Sequence, residues 1–150
     1  IPQEKKGTID SRPAELVDWI PTICDAAGIK PDPRLPGLSL FSGQIRKGAF
    51  SEFHGGGPEN PQPAPSWMWR SKDYKLILFR EGTVLNSTPL KGELYDLKKD
   101  PHEWCNQYNN PEYASVKVLM MEELLSHIAT VYAKGPAFGD KLGLEKISQK

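Results

Sequence analysis

A chain of 150 residues with 19 basic and 19 acidic side chains has a formal net charge of +0, which excludes a broad electrostatic footprint for nucleic acid or an anionic membrane. Its hydrophobic fraction of 38%, with 14 prolines and 13 glycines, suits a loop-rich module that leans on something larger. Cys24 and Cys105 are too few for a disulfide framework and lack metal or redox spacing, and no run is apolar enough to span a membrane or to serve as a signal peptide.

The chain opens Ile-Pro-Gln-Glu-Lys-Lys-Gly without an initiator methionine, which reads as a processed product or an excised piece. Residues Ile1 to Arg12 are polar and read as a loop, and Ala14 to Val17 as a short extended segment. A short helix follows. Asp18 is its expected N-cap, Pro21 fits the first turn, and Gly28 is the expected left-handed residue at its end. Ile20, Ile23, Cys24 and Ala27 then share one face. Lys30 to Leu40, with Pro31, Pro33, Pro36 and Gly37, is an irregular connection.

Gly48 to His54 reads as a strand, halted by Gly55-Gly56-Gly57, and Gly55 to Pro65 as a loop with no core-forming side chain. Ser66 to Ser71 is the next strand, and Lys72-Asp73 turns it into Tyr74 to Phe79, so the two predict a hairpin. Tyr74-Lys75-Leu76-Ile77-Leu78-Phe79 is the most β-prone run in the chain and belongs at the centre of the sheet. Arg80-Glu81-Gly82 ends it. Glu93 to Leu97 is a further strand, preceded by a loop carrying Pro89 and Gly92 and ended by Lys98-Lys99-Asp100-Pro101.

Pro111 to Lys134 is the clearest helix, its stripe formed by Val116, Met120, Leu124, Ile128 and Val131 and its stop by Gly135-Pro136. The pattern predicts an α+β fold: a small antiparallel sheet of about four strands covered by a long C-terminal helix. The first helix has no obvious place in it.

Chemistry is sparse. His54 ends a strand and opens the glycine loop, where it can face a ligand. Arg70 offers a guanidinium suited to sulfate, phosphate or carboxylate. Trp67 and Trp69 share one strand face and either stack on a sugar ring or close a core. His102 and His127 read as structural or solvated, and the three histidines share no metal-ligand spacing. Glu52, Asp96 and Glu103 form no pair suited to acid–base work, and no nucleophile signature or phosphate-cradling loop is present. No residue is assigned as catalytic or as a metal ligand.

Four phrases, in order, carry a resemblance. Val17-Asp18-Trp19-Ile20-Pro21-Thr22-Ile23-Cys24-Asp25-Ala26-Ala27-Gly28, then Pro36-Gly37-Leu38-Ser39-Leu40, resembles the sulfatase pattern Val-Asp-Leu-x-Pro-Thr-Leu-Leu-x-Leu-Ala-Gly followed by Gly-x-Ser-Leu. Arg70-Ser71-Lys72-Asp73-Tyr74-Lys75-Leu76-Ile77 is similar to Arg-x-x-x-Tyr-Lys-Tyr-Ile. Glu93 to Glu103 matches Glu-Leu-Tyr-Asp-Leu-x-x-Asp-Pro-x-Glu, and Asn106 fits the asparagine that follows.

The resemblance implies the C-terminal region of a formylglycine-dependent sulfatase of the alkaline phosphatase superfamily. Residues 1–45 would then be the trailing segment of the α/β catalytic domain, to which the first helix would belong. Residues 46–134 would be the sheet-and-helix subdomain and 135–150 a tail. Neither cysteine stands in the Cys/Ser-x-Pro-x-Arg context of the formylglycine precursor. Ca²⁺ and formylglycine are therefore expected in the missing catalytic domain, no cofactor is expected here, and the chain alone is expected to be inactive. The missing catalytic domain is the expected partner, with a sulfated small molecule or glycan as the whole enzyme's substrate and self-association through the exposed docking face. No nucleic-acid or membrane partner is expected. The family implies a secreted, periplasmic or lysosomal setting. His54, Trp67, Trp69 and Arg70 are the expected substrate-facing residues at the pocket rim.

Two other readings stand beside this one. A phosphodiesterase or phosphonate hydrolase of the same superfamily would differ in residues upstream. A stand-alone glycan-binding or assembly module would fold as a monomer and bind by itself.

Overall fold

The computed structural model describes residue 7 and residues 9–54, 65–79 and 91–134. The chain divides into two compact units: Ile1–Glu15 with Ile45–Ser126, and Leu16–Gln44 with His127–Lys150.

The first unit holds a sheet of four antiparallel strands in the order β1-β2-β3-β4: β1 Gly48–Phe53, β2 Ser66–Ser71, β3 Tyr74–Phe79 and β4 Lys91–Asp96. The expected hairpin is present, with Arg70 opposite Lys75 and the Ser71 hydroxyl accepting the Tyr74 N–H across the turn at 3.1 Å. β3 lies between β2 and β4, as an uninterrupted β-prone run requires. β4 starts earlier than expected, so Gly92 is a strand residue and not a loop residue.

Residues directly opposite in antiparallel strands share a face. Register therefore places Phe50, Trp69, Leu76 and Leu94 side by side, and Leu76 and Leu94 are fully buried. A Cβ at Gly48 would lie 2.6 Å from the Trp69 indole, so the bare backbone there lets the large ring lie flat. The outer edge of β1 is closed by Glu15, whose carboxylate accepts the Phe50 N–H at 2.9 Å and pairs with Arg46 at 3.4 Å.

The buried face is covered by α2, Ala114–Lys134, entered through a 3-10 turn at Pro111–Tyr113. Asn110 caps it, its side chain accepting the Glu112 N–H, and Pro111 occupies the first position as expected. Met120 and Leu124 are the buried centre of the expected stripe, while Val116, Ile128 and Val131 are half-buried. Two polar ties fix the helix on the sheet. The Trp69 indole N–H donates to Glu123 at 2.9 Å, and the Tyr113 hydroxyl donates to Asp96 at 3.0 Å.

The second unit holds α1, Trp19–Ala26, preceded by a 3-10 turn at Leu16–Asp18 where an extended segment was expected. Gly28 is left-handed at φ 68°, and the N–H groups of Gly28 and Ile29 return to Asp25 and Cys24, so the helix ends as expected.

Its start and its packed face differ from expectation. Asp18 is helical and makes no side-chain cap. Its buried carboxylate instead accepts the Leu38 N–H at 2.7 Å. Thr22 accepts the Leu40 N–H at 3.0 Å, and Ser39 donates to Asp25 at 2.6 Å. Positions 18, 22 and 25 lie on one helix face, so the polar face holds the irregular segment. Ile20 and Ile23, expected to pack inward, are 56% and 60% exposed, together with Leu16, Trp19 and Ile29.

Residues 55–64 of the expected loop at Gly55 to Pro65, the joint at Arg80-Glu81-Gly82, the stop at Gly135-Pro136 and the tail lie outside the described residues.

Candidate functional site

Strand pairing brings two of the four sequence-predicted site residues together. Glu52 lies opposite Trp67, and His54 follows just past the end of β1. The His54 ring meets the Trp67 indole edge-on, with centroids 6.3 Å apart and planes at 83°. Its Nε2 is 3.2 Å from the Glu52 carboxylate. The three form an exposed-to-half-buried corner with an aromatic surface, a ring nitrogen and an anion, groups that orient a polar ligand.

The other two go elsewhere. Trp69 is 3% exposed beneath α2, with its N–H committed to Glu123, so packing takes the place of the substrate contact expected of it. Arg70 is exposed on the opposite sheet face, because adjacent residues of a strand point opposite ways. It lies three positions along β2 from Trp67, about 10 Å of strand.

A second ordered feature follows β4. The Asp100 carboxylate accepts the Cys105 N–H at 2.8 Å, and this bond with further backbone amides of the turn holds its pKa below the ordinary range. Glu103 sits at φ 59°, a left-handed conformation that costs a residue with a Cβ free energy, and its carboxylate is ion-paired to Lys75. Lys75 also lies over the Tyr95 ring, 5.3 Å from its centroid. Asn106 accepts the N–H groups of Leu94 and Tyr108, fastening the end of the turn to β4. Between these anchors Trp104 stands 83% exposed, stacked on His102 at 5.4 Å with planes 26° apart. Sequence reading took Lys98 to Pro101 as the end of the strand and His102 as structural or solvated, and assigned no ordered turn here. The signal it missed was a tryptophan in a stretch with no apolar periodicity to bury it.

A cavity of about 350 Å³ opens beside the start of α2, lined by Tyr74, Asp96, Lys98, Lys99, Tyr113 and Val116. Burial pushes the Asp96 carboxyl pKa up, but the Tyr113 hydroxyl and the N–H groups of Lys99 and Lys98 outweigh it and hold the net value below the ordinary range. Asp96 is therefore an ionised brace between strand, turn and helix.

Among the described residues no three His, Cys, Asp or Glu side chains gather in a metal-binding group, and both cysteines are free thiols. The ordered side chains hydrogen-bond, stack and pair charges.

A family model described as "N-sulphoglucosamine sulphohydrolase, C-terminal" matches residues 2–130. The Δ4,5-hexuronate-2-O-sulfatase of Bacteroides thetaiotaomicron is 32% identical over 123 residues, which are 77% of this chain and 24% of the relative. A solved structure in complex with its substrate D-glucosamine-2-N,6-O-disulfate aligns with TM-score 0.64 and 26% identity, over 77% of this chain and 24% of that one. The phosphonate monoester hydrolase of Agrobacterium radiobacter aligns with TM-score 0.60 and 28% identity, over 76% and 24%. The chain thus spans about a quarter of the length of the relatives it matches. With the sheet-and-helix architecture in place and the match running through both units, the chain belongs to the sulfatase family, as its C-terminal region.

Proposed function

We propose that this chain is the C-terminal part of a carbohydrate sulfatase, docked on the catalytic part through α1 and contributing the His54–Trp67 corner to the rim of the substrate pocket. The observation that carries it is the inverted packing of α1. Its polar face is consumed by Asp18–Leu38 and Thr22–Leu40, while Leu16, Trp19, Ile20 and Ile23 stand 56–86% exposed. Apolar side chains on the free face of an ordered helix need a cover, and the catalytic portion of relatives four times as long supplies one.

The substrate class follows the relatives, whose names specify a sulfated hexuronate and a sulfated glucosamine. In this reading the catalytic portion holds Ca²⁺ and a formylglycine, the electrophilic metal and the covalent nucleophile that sulfate-ester hydrolysis needs. This chain's residues bind and orient. His54 offers a ring nitrogen and Trp67 a stacking face, Arg70 serves as an anion contact from the other sheet face, and Trp69 holds β2 in place beneath α2. In this reading residues 1–45 are the trailing segment of the catalytic portion, with Glu15 reaching the edge of β1, and residues 46–134 are the subdomain.

The test uses the longer protein carrying this chain. Alanine at His54 or Trp67 lowers kcat/KM on a sulfated oligosaccharide about tenfold and leaves a small aryl sulfate within a factor of two, since the rim touches only the larger substrate. Equal losses on both substrates overturn the rim assignment.

A second reading, hydrolysis of phosphonate or phosphate esters, is favoured by the Agrobacterium radiobacter alignment alone. Turnover of a phenyl phosphonate monoester ahead of the matching aryl sulfate would establish it.

A further inference from the structure

Two exposed apolar features of this chain differ in kind. At α1 and the turn before it, the aliphatic side chains Leu16, Ile20 and Ile23 and the Trp19 indole are each more than half exposed, side chains of the sort another protein covers. After β4 a single indole, Trp104, stands on a turn that also holds Pro101 and the hydrogen-bonding residues Asp100, His102, Glu103, Asn106 and Gln107.

That turn is built to hold its tip still. Asp100 takes the Cys105 N–H, Gln107 donates to the Cys105 carbonyl at 3.3 Å, and Asn106 grips Leu94 and Tyr108. Glu103 is kept at φ 59° by its ion pair with Lys75. A strained residue persists only where its surroundings over-determine it, and here four anchors do so. The family phrase specifies the residues that build the turn, namely Asp100, Pro101, Glu103 and Asn106, and leaves positions 102 and 104 open.

We propose that the stacked His102–Trp104 pair is an accessory platform for a pyranose ring of a glycan. A sugar ring presents a C–H face with hydroxyls around its rim. It therefore suits an aromatic plane edged by hydrogen-bonding groups better than a dry aliphatic surface does. The Trp104 plane takes the C–H face, while His102 beneath it fixes the plane's tilt, so the indole loses little freedom on binding. The choice of ligand rests on the carbohydrate reading above. The platform itself needs no sulfate, because a π-face does not read charge on a ring substituent.

The test titrates the full 150-residue chain with a hexuronate–glucosamine tetrasaccharide and with its sulfated counterpart, following the Trp104 indole N–H by NMR. Both ligands shift that resonance, and the unsulfated one does so independently of salt. Trp104→Ala weakens both affinities about tenfold, or about 1.4 kcal/mol. His102→Ala weakens them about threefold, and His102→Phe restores them. Trp104→Phe, which keeps an aromatic face, retains most of the affinity and guards against a folding artefact.

The proposal is overturned if neither sugar moves the indole resonance at ten millimolar, or if Trp104→Ala binds as wild type. It is also overturned if only the sulfated ligand binds and salt abolishes it, or if Trp104→Ala removes self-association of the chain without touching sugar binding. Binding is read here without hydrolysis. Failure with sulfatase activity of the longer protein intact therefore removes the platform alone.

Discussion

The Trp69 indole N–H donates to Glu123 at 2.9 Å, joining the second strand of the sheet to the middle of the covering helix. Trp69 is 3% exposed, Glu123 is half-buried, and the bond between them is part-buried.

Removing the acceptor alone therefore costs more than removing both partners. Glu123→Ala lowers unfolding free energy by about 1–3 kcal/mol, the cost of taking the carboxylate acceptor from a buried indole. In a Trp69→Phe background, where that N–H is absent, the same change costs little. Urea denaturation of the four chains of this cycle reads the coupling. Equal losses in both backgrounds would mean that Glu123 acts through something other than the indole.

Asp18 holds the second unit in the same way, its carboxylate accepting the Leu38 N–H at 2.7 Å. Asp18→Ala leaves that amide and its surroundings without a partner and destabilises the unit by about 1–3 kcal/mol, whereas Asp18→Asn keeps an acceptor and loses less. Amide hydrogen exchange at Leu38 and Leu40 reports this directly. Unchanged protection at both positions in Asp18→Ala would show that the connection is held by other means.

The legibility of the fold tracks this distinction. Strands β2 and β3 were readable to the residue, and the long helix was readable apart from its first three residues, which form a 3-10 turn, because a β-prone run bounded by turn residues and the Val116–Met120–Leu124 repeat are packing patterns written directly in residue type. The first helix was readable in position but not in orientation. Apolar periodicity marked Ile20 and Ile23 as inward, yet the partner available within this chain is a proline-rich segment whose free backbone amides Asp18 and Thr22 satisfy. Among the described residues that apolar face stays exposed. Of the site, the pairing of Trp67 with Trp69 on one face was readable, and so was the position of His54. The burial of Trp69 was not, since strand alternation does not say which face the helix covers. The turn at Glu103 gave no sign either, because its left-handed residue is not a glycine and its anchors are hydrogen bonds to backbone.

Asp96 gives the fold a pH dependence. Burial alone would raise its pKa, but donation from Tyr113 and the amides of Lys99 and Lys98 wins, and the folded value lies below the ordinary 3.8. The folded state therefore favours the carboxylate. That contribution is fully present above the ordinary value and is lost as pH falls through it toward the folded pKa. Asp96→Asn flattens the stability–pH curve below about pH 4 relative to wild type. Asp100 shifts in the same direction, so the difference between variant and wild type is the readout, by thermal melts across that range. Parallel curves would remove Asp96 as a contributor.

The exposed face of α1 predicts association. At high micromolar concentration the chain forms dimers or larger species by sedimentation velocity. The paired change Ile20→Asp and Ile23→Asp returns it to monomer without loss of folding stability, because both side chains already lie more than half in solvent. A wild-type chain that stays monomeric throughout would mean that this face needs no cover.

The account's central claim is that this chain binds and positions, while the cutting belongs to the rest of a sulfatase. The direct measurement is inorganic sulfate released from a sulfated hexuronate–glucosamine oligosaccharide, by the 150-residue chain and by the longer protein that contains it. The account predicts steady release by the longer protein and none by the chain. Turnover by the isolated chain, or a longer protein that hydrolyses a phosphonate ester and leaves the sulfate in place, would contradict it.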